Sequence, residues 1–81
     1  MQSKKTAYRN LANAIILQAV ADYRNALKGI SYNNYPPEAI IKEVEIFFRS
    51  RWYRELTNID AEYLIERLQK QHNERQGKEQ I

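Results

Sequence analysis

Apolar positions recur along this chain at three- and four-residue spacing, in stretches separated by short polar breaks. In the first stretch Leu11, Ala14, Ile15 and Ala19 form one file, and Ile16, Val20, Tyr23 and Leu27 form a second beside it. Together they predict a helix from Ala7 to Lys28 whose apolar stripe is broader than a narrow coiled-coil seam needs. Thr6 is placed to cap its start, with residues 1–5 expected to fray. Gly29 is placed to end the helix in a left-handed C′ conformation, just after the favourable cation Lys28.

The connector GISYNNYP follows, where Asn33 and Asn34 tolerate left-handed backbone and the Pro36-Pro37 pair delays the next helix. Pro37 suits a first helical turn, because the N–H it lacks would be unpaired there. Behind it Ile40, Ile41, Val44, Phe47 and Phe48 give the period of a buried helical face. Two readings stand for its end. Ser50 caps a short separate helix, which is the preferred reading, or one long helix runs on through Trp52 to Leu56. The last helix is marked by Asp60 as N-cap, by Ile59 and Leu64 at the positions of a hydrophobic staple, and by Leu64, Ile65 and Leu68 on its buried face. Glu66 and Lys70 add an i, i+4 pair there. Beyond Leu68 the chain has almost nothing to bury, and residues 73–81 are expected to fray or be disordered. The fold expected is all-α: one small bundle of three main helices over residues 1–81, with a short extra helix if the chain breaks at Ser50.

Composition narrows the chemistry. Only 2 glycines and 2 prolines interrupt 81 residues, which disfavours a turn-rich β fold. A domain this short buries about 60% of its unfolded surface, so extra burial by self-association is expected. With no cysteine there are no disulfides or thiolate zinc sites, in keeping with a reducing cytoplasm. No apolar run reaches bilayer length and no signal peptide is read at the start, so no membrane association is expected. Thirteen Lys and Arg against 10 Asp and Glu give a net charge of +3, spread rather than massed into the stripe a nucleic-acid binder usually carries.

Catalytic signatures are missing from the sequence. His72, the single histidine, sits in a polar segment without a nucleophile beside it, and Glu43, Glu45, Glu62 and Glu66 show no metal-ligand spacing. No phosphate-cradling glycine loop is present. The expectation is therefore a protein that is not an enzyme and holds no cofactor. A helix-turn-helix reading, with Asp60 to Gln71 as the recognition helix, would bring Asp60 and Glu62 against phosphates.

The candidate binding patch is Arg49, Arg51, Tyr53 and Arg54 with the connector tyrosines Tyr32 and Tyr35, the mix of tyrosine and arginine that dominates interface hot spots. Lys4, Lys5 and Arg9 are further cations that this patch could draw on. Against it stands a plain solvated face in which the arginines pair with Glu45 and Glu55, the tyrosines only covering the core. On a continuous helical wheel Phe48 and Trp52 fall in the core seam and Tyr53 falls outside it.

AIILQAVADYRNALKG (14–29) and FFRSRWYRELTNIDAEYLIERL (47–68) resemble small proteins encoded by phages and prophages of Gram-positive bacteria. Those share an A-x-x-L-Q-A-x-x-D-Y first helix and an F-F-x-S-x-W-[FY]-x-x-L-T segment, here carried by Phe47, Phe48, Ser50, Trp52, Leu56 and Thr57. The connector GISYNNYPPE departs from the pattern. The resemblance transfers no active-site residue. It implies a phage accessory protein in the host cytoplasm that binds and inhibits a host protein, with a component of an antiphage defence system as one candidate. The alternative expectation is a nucleotide or nucleic-acid ligand held by arginines and a stacking aromatic.

Overall fold

The computed structural model describes the backbone of residues 4–31 and 34–79 and the side chains of residues 9–31 and 34–75. It is a small all-α bundle of helices α1 (Lys4–Leu27), α2 (Pro37–Phe48), α3 (Arg51–Leu56) and α4 (Ala61–Glu79). Because α1 is already formed at Lys4, Thr6 lies within the helix and does not cap it. Lys4 and Lys5, which precede the threonine, are good helix formers, so the ladder extends upstream past it. Residues 1–3 of the segment expected to fray lie outside the described residues, as do 80 and 81; α4 itself runs to Glu79.

Local chemistry sets the remaining ends. The amide of Gly29, at φ +83°, bonds the Ala26 carbonyl (2.9 Å), and that of Ile30 bonds the Asn25 carbonyl (3.0 Å). This paired pattern closes α1 and needs the left-handed residue that glycine supplies without strain. Asn34 takes a left-handed φ of +66° in the connector, while Asn33 lies outside the described residues. Pro37 opens α2 as its first residue, and the Asp60 carboxylate accepts from the Tyr63 amide (2.9 Å) at the start of α4. Leu64 packs against the core while Ile59, its expected staple partner, stays exposed.

Between α2 and α3 the chain breaks at Ser50. Its hydroxyl donates to the Phe47 carbonyl (2.6 Å) and accepts from the Tyr53 amide (3.2 Å), with Ser50 itself extended at ψ 159°. That extended residue resets the helical phase. A continuous helix would turn Trp52 inward and Tyr53 outward, about 100° apart on the wheel. In the structure the two have exchanged places: Tyr53 is 1% exposed and Trp52 is 53% exposed. The expectation of a buried Trp52 and an exposed Tyr53 is corrected by the break.

The core gathers Tyr23 of α1, Phe48 of α2, Tyr53 of α3, and Ile65 and Leu68 of α4. Its centre is aromatic, with Phe48 6.1 Å from Tyr23 and 5.5 Å from Tyr53 between ring centroids, both inclined as ring quadrupoles prefer. The two buried tyrosines differ at their polar tips. Tyr23 donates to Glu45 (2.8 Å) and accepts from the Gln69 amide (2.9 Å), tying α1 to α2 and α4. The Tyr53 hydroxyl is buried with no partner.

Burial pushes the Tyr23 phenol up from 10.0 to about 12; the bond received from Gln69 pulls it back, and the Glu45 carboxylate pushes it up again. Burial, then the charge of Asp60, raises Tyr53 as well. One substitution should therefore have opposite effects at the two sites. Tyr23→Phe is expected to cost about 1–2 kcal/mol by stranding Glu45 and Gln69, whereas Tyr53→Phe should be neutral or stabilising. Urea unfolding of both variants checks this. A raised folded-state pKa means that the contribution of Tyr23 is complete below pH 10.0 and is lost as pH rises toward about 12, so the deficit of Tyr23→Phe should narrow over that window.

Candidate functional site

Of the residues singled out in the sequence, Arg49 and Arg54 line one depression, while Tyr53 and Tyr35 lie apart from it. Arg49 caps the end of α2, and its guanidinium grips Glu62 through two bonds (Nε–Oε1 2.6 Å, Nη2–Oε2 3.2 Å) while also bonding Glu45 (3.2 Å). It is a strap from α2 to the first turn of α4. Its own pKa is raised, first by the bond to Glu62, and Glu62 is held below the usual carboxylate range by the same bond. Arg51, 92% exposed along its side chain, lies 3.6 Å from Glu55. The Arg51–Glu55 pair is a plain solvated contact, whereas Arg49 is held chiefly by Glu62, with Glu45 as a second partner.

Arg54 is exposed and shares with Arg49 and Glu62 the lining of a shallow depression beside Asn58 and Asp60. Tyr53 is buried and offers no surface, and Tyr32 lies outside the described residues. Tyr35 is exposed, but it precedes α2 while the arginines follow it, and α2 is about 18 Å long at 1.5 Å per residue. The structure separates Tyr35 from Arg49, Arg51 and Arg54.

Another surface is built where α1 meets α2. Two adjoining hollows of about 240 and 300 Å³ share Asp22, Glu43 and Val44, making one groove along the helix pair. Its floor is apolar: Ile15 and Ala19 from α1, and Ile40, Val44 and Phe47 from α2. Aromatics stand at its ends. Tyr35 with Ile30 closes one, and Trp52, packed edge-on against Phe47 at 5.5 Å, closes the other.

The file Leu11–Ile15 of the α1 stripe, expected in the core, is only partly covered, and Leu11 is 61% exposed. The bundle is too small to cover a stripe this broad. Each wall carries one acid, Asp22 on α1 and Glu43 on α2, and neither forms an ion pair among the described residues. Gln18 donates to Asp22 (3.0 Å) and holds that carboxylate at the rim.

The breadth of the α1 stripe was the available signal for this groove. Running the helical wheel straight through Ser50 hid Trp52 from it. No group of three or more His, Asp or Glu side chains converges as a metal site among the described residues. No helix there is long and apolar enough to cross a membrane. No protein-family model, no curated protein and no solved structure matches the chain.

The strap and the solvated pair should respond differently to mutation. Arg49→Gln is expected to lower the melting temperature at neutral pH by a few degrees, and Arg51→Gln to leave it unchanged. Glu62 has a depressed folded-state pKa, so its contribution is present above the ordinary carboxylate range and lost as pH falls through it. The Arg49→Gln deficit should therefore shrink in acid. Thermal unfolding at neutral pH and near pH 3 tests both expectations.

Proposed function

We propose that this protein is a non-catalytic binding protein whose α1/α2 groove takes a helical segment of another protein, one with an apolar face flanked by lysine or arginine. The observation that carries this reading is the open apolar groove with Trp52 and Tyr35 at its ends and, on each wall, an acid without an ion pair among the described residues. A helix laid in a groove is anchored by apolar side chains at i, i+3, i+4 and i+7, and α2 offers about three turns of matching length. Tryptophan and tyrosine are the side chains that most often dominate such interfaces.

Charge decides between kinds of occupant. The chain carries +3 overall, yet Asp22 and Glu43 flank Val44 in the middle of the groove. A second copy docked face to face by a two-fold axis would bring these four carboxylates together. A cationic helix would pair them instead. Under the resemblance to phage-encoded accessory proteins, the occupant belongs to a host protein and the outcome is its inhibition, with a component of a defence system as the natural candidate.

The test is calorimetric titration with a 14-residue amphipathic peptide bearing a leucine face and lysine flanks, against a matched peptide with glutamate flanks. The lysine peptide should bind saturably, and Trp52→Ala should weaken it by about 30-fold, as loss of a hot spot does. Asp22→Asn with Glu43→Gln should weaken it and reduce its salt dependence. Equal binding of both peptides, indifference to Trp52→Ala, or a dimer by light scattering that masks the groove would each overturn the proposal.

A further inference from the structure

At the junction of α1 and α4 a second hollow, of about 280 Å³, collects cations that the sequence did not group. Arg24 and Lys28 reach it from the end of α1, and His72 and Arg75 from α4, over a floor formed by the buried Leu68. Glu74 is the one acid on its lining. Arg49 and Arg51 are both neutralised by carboxylates, whereas Arg24, Lys28 and Arg75 form no ion pair among the described residues.

Lys28 lies at the negative end of the α1 dipole, but backbone amides, not these side chains, meet three of the last-turn carbonyls. The carbonyls of Arg24, Asn25 and Ala26 are met by the amides of Lys28, Ile30 and Gly29. The Arg24 guanidinium is steadied by donating to the Gln71 side-chain oxygen (3.1 Å), which leaves its other N–H groups available. Three cations against Glu74 give the hollow's lining an excess of two positive charges, and His72 lies half-buried in the wall.

We infer that this α1/α4 cleft is an anion site for a compact, multiply charged phosphate group, of the kind carried by pyrophosphate or by the phosphate end of a small phosphate ester. Guanidinium groups match phosphate oxygens with paired N–H donors, and a lysine adds a point charge. The cations converge on one hollow. A nucleic-acid strand presents one charge per phosphate and is usually tracked by an extended groove with stacking aromatics, and this lining holds no Phe, Tyr or Trp. The site is separate from the groove between α1 and α2 and does not depend on what that groove binds.

Isothermal titration of the full chain with sodium pyrophosphate at about 0.15 M salt tests the inference. One saturable site is expected, weakened at least tenfold by Arg75→Gln and by Lys28→Gln and unaffected by Arg51→Gln. Arg75 and Lys28 are exposed, so both variants should fold, and circular dichroism checks that they do. Absence of saturable binding up to millimolar pyrophosphate would overturn the inference. So would an equal loss with Arg51→Gln, which would mark unspecific attraction, or tighter binding of a single-stranded oligonucleotide than of pyrophosphate.

Discussion

The Ser50 hydroxyl donates to the Phe47 carbonyl and accepts from the Tyr53 amide, and between these bonds the chain leaves one helix and enters the next. A cap of this kind is worth only about 1 kcal/mol, but its geometric consequence is larger. Tyr53 turns inward onto Phe47 and Phe48, and α3 becomes the lid of the aromatic core. Trp52 turns outward and becomes the end wall of the α1/α2 groove. Core and candidate site are both set by the phase of one short helix.

Around that point the bundle is tied by polar contacts that bridge elements. Tyr23 links α1 to Glu45 and Gln69, Arg49 links α2 to Glu62, and Arg24 links α1 to Gln71. These contacts use up much of the charge near the α2–α3 junction and leave two other surfaces with uncompensated charge. The α1/α2 groove is apolar with acids on its rims, and the α1/α4 cleft is cationic. One small bundle thus carries two surfaces of opposite character.

The sequence disclosed those features whose causes are local. Gly29, Pro37, Ser50 and Asp60 act through their own backbone or the next turn, and each stands where its chemistry predicts. The all-α class followed from periodicity and the scarcity of breakers. Thr6 misled because a threonine before an apolar stripe resembles a cap even when good helix formers precede it. The site was less legible for a different reason. Placing Trp52 and Tyr53 requires the exit angle at Ser50, and a helical wheel has no such angle. The Arg49–Glu62 strap and the Arg24–Gln71 contact join residues 13 and 47 positions apart, beyond any local pattern. Leu11 and Ile15 looked like core because nothing in one stripe says how much of it the partner helices can cover.

Trp52 is the only tryptophan, so its fluorescence reports on this arrangement without labelling. The direct measurement is acrylamide quenching of its emission in the dilute native protein, compared with the urea-unfolded chain. An outward Trp52 at the groove's edge predicts long-wavelength native emission and quenching comparable with that of the unfolded chain. A blue-shifted emission protected severalfold from acrylamide would place Trp52 in the core, return α2 and α3 to one continuous helix, and contradict the account of the groove.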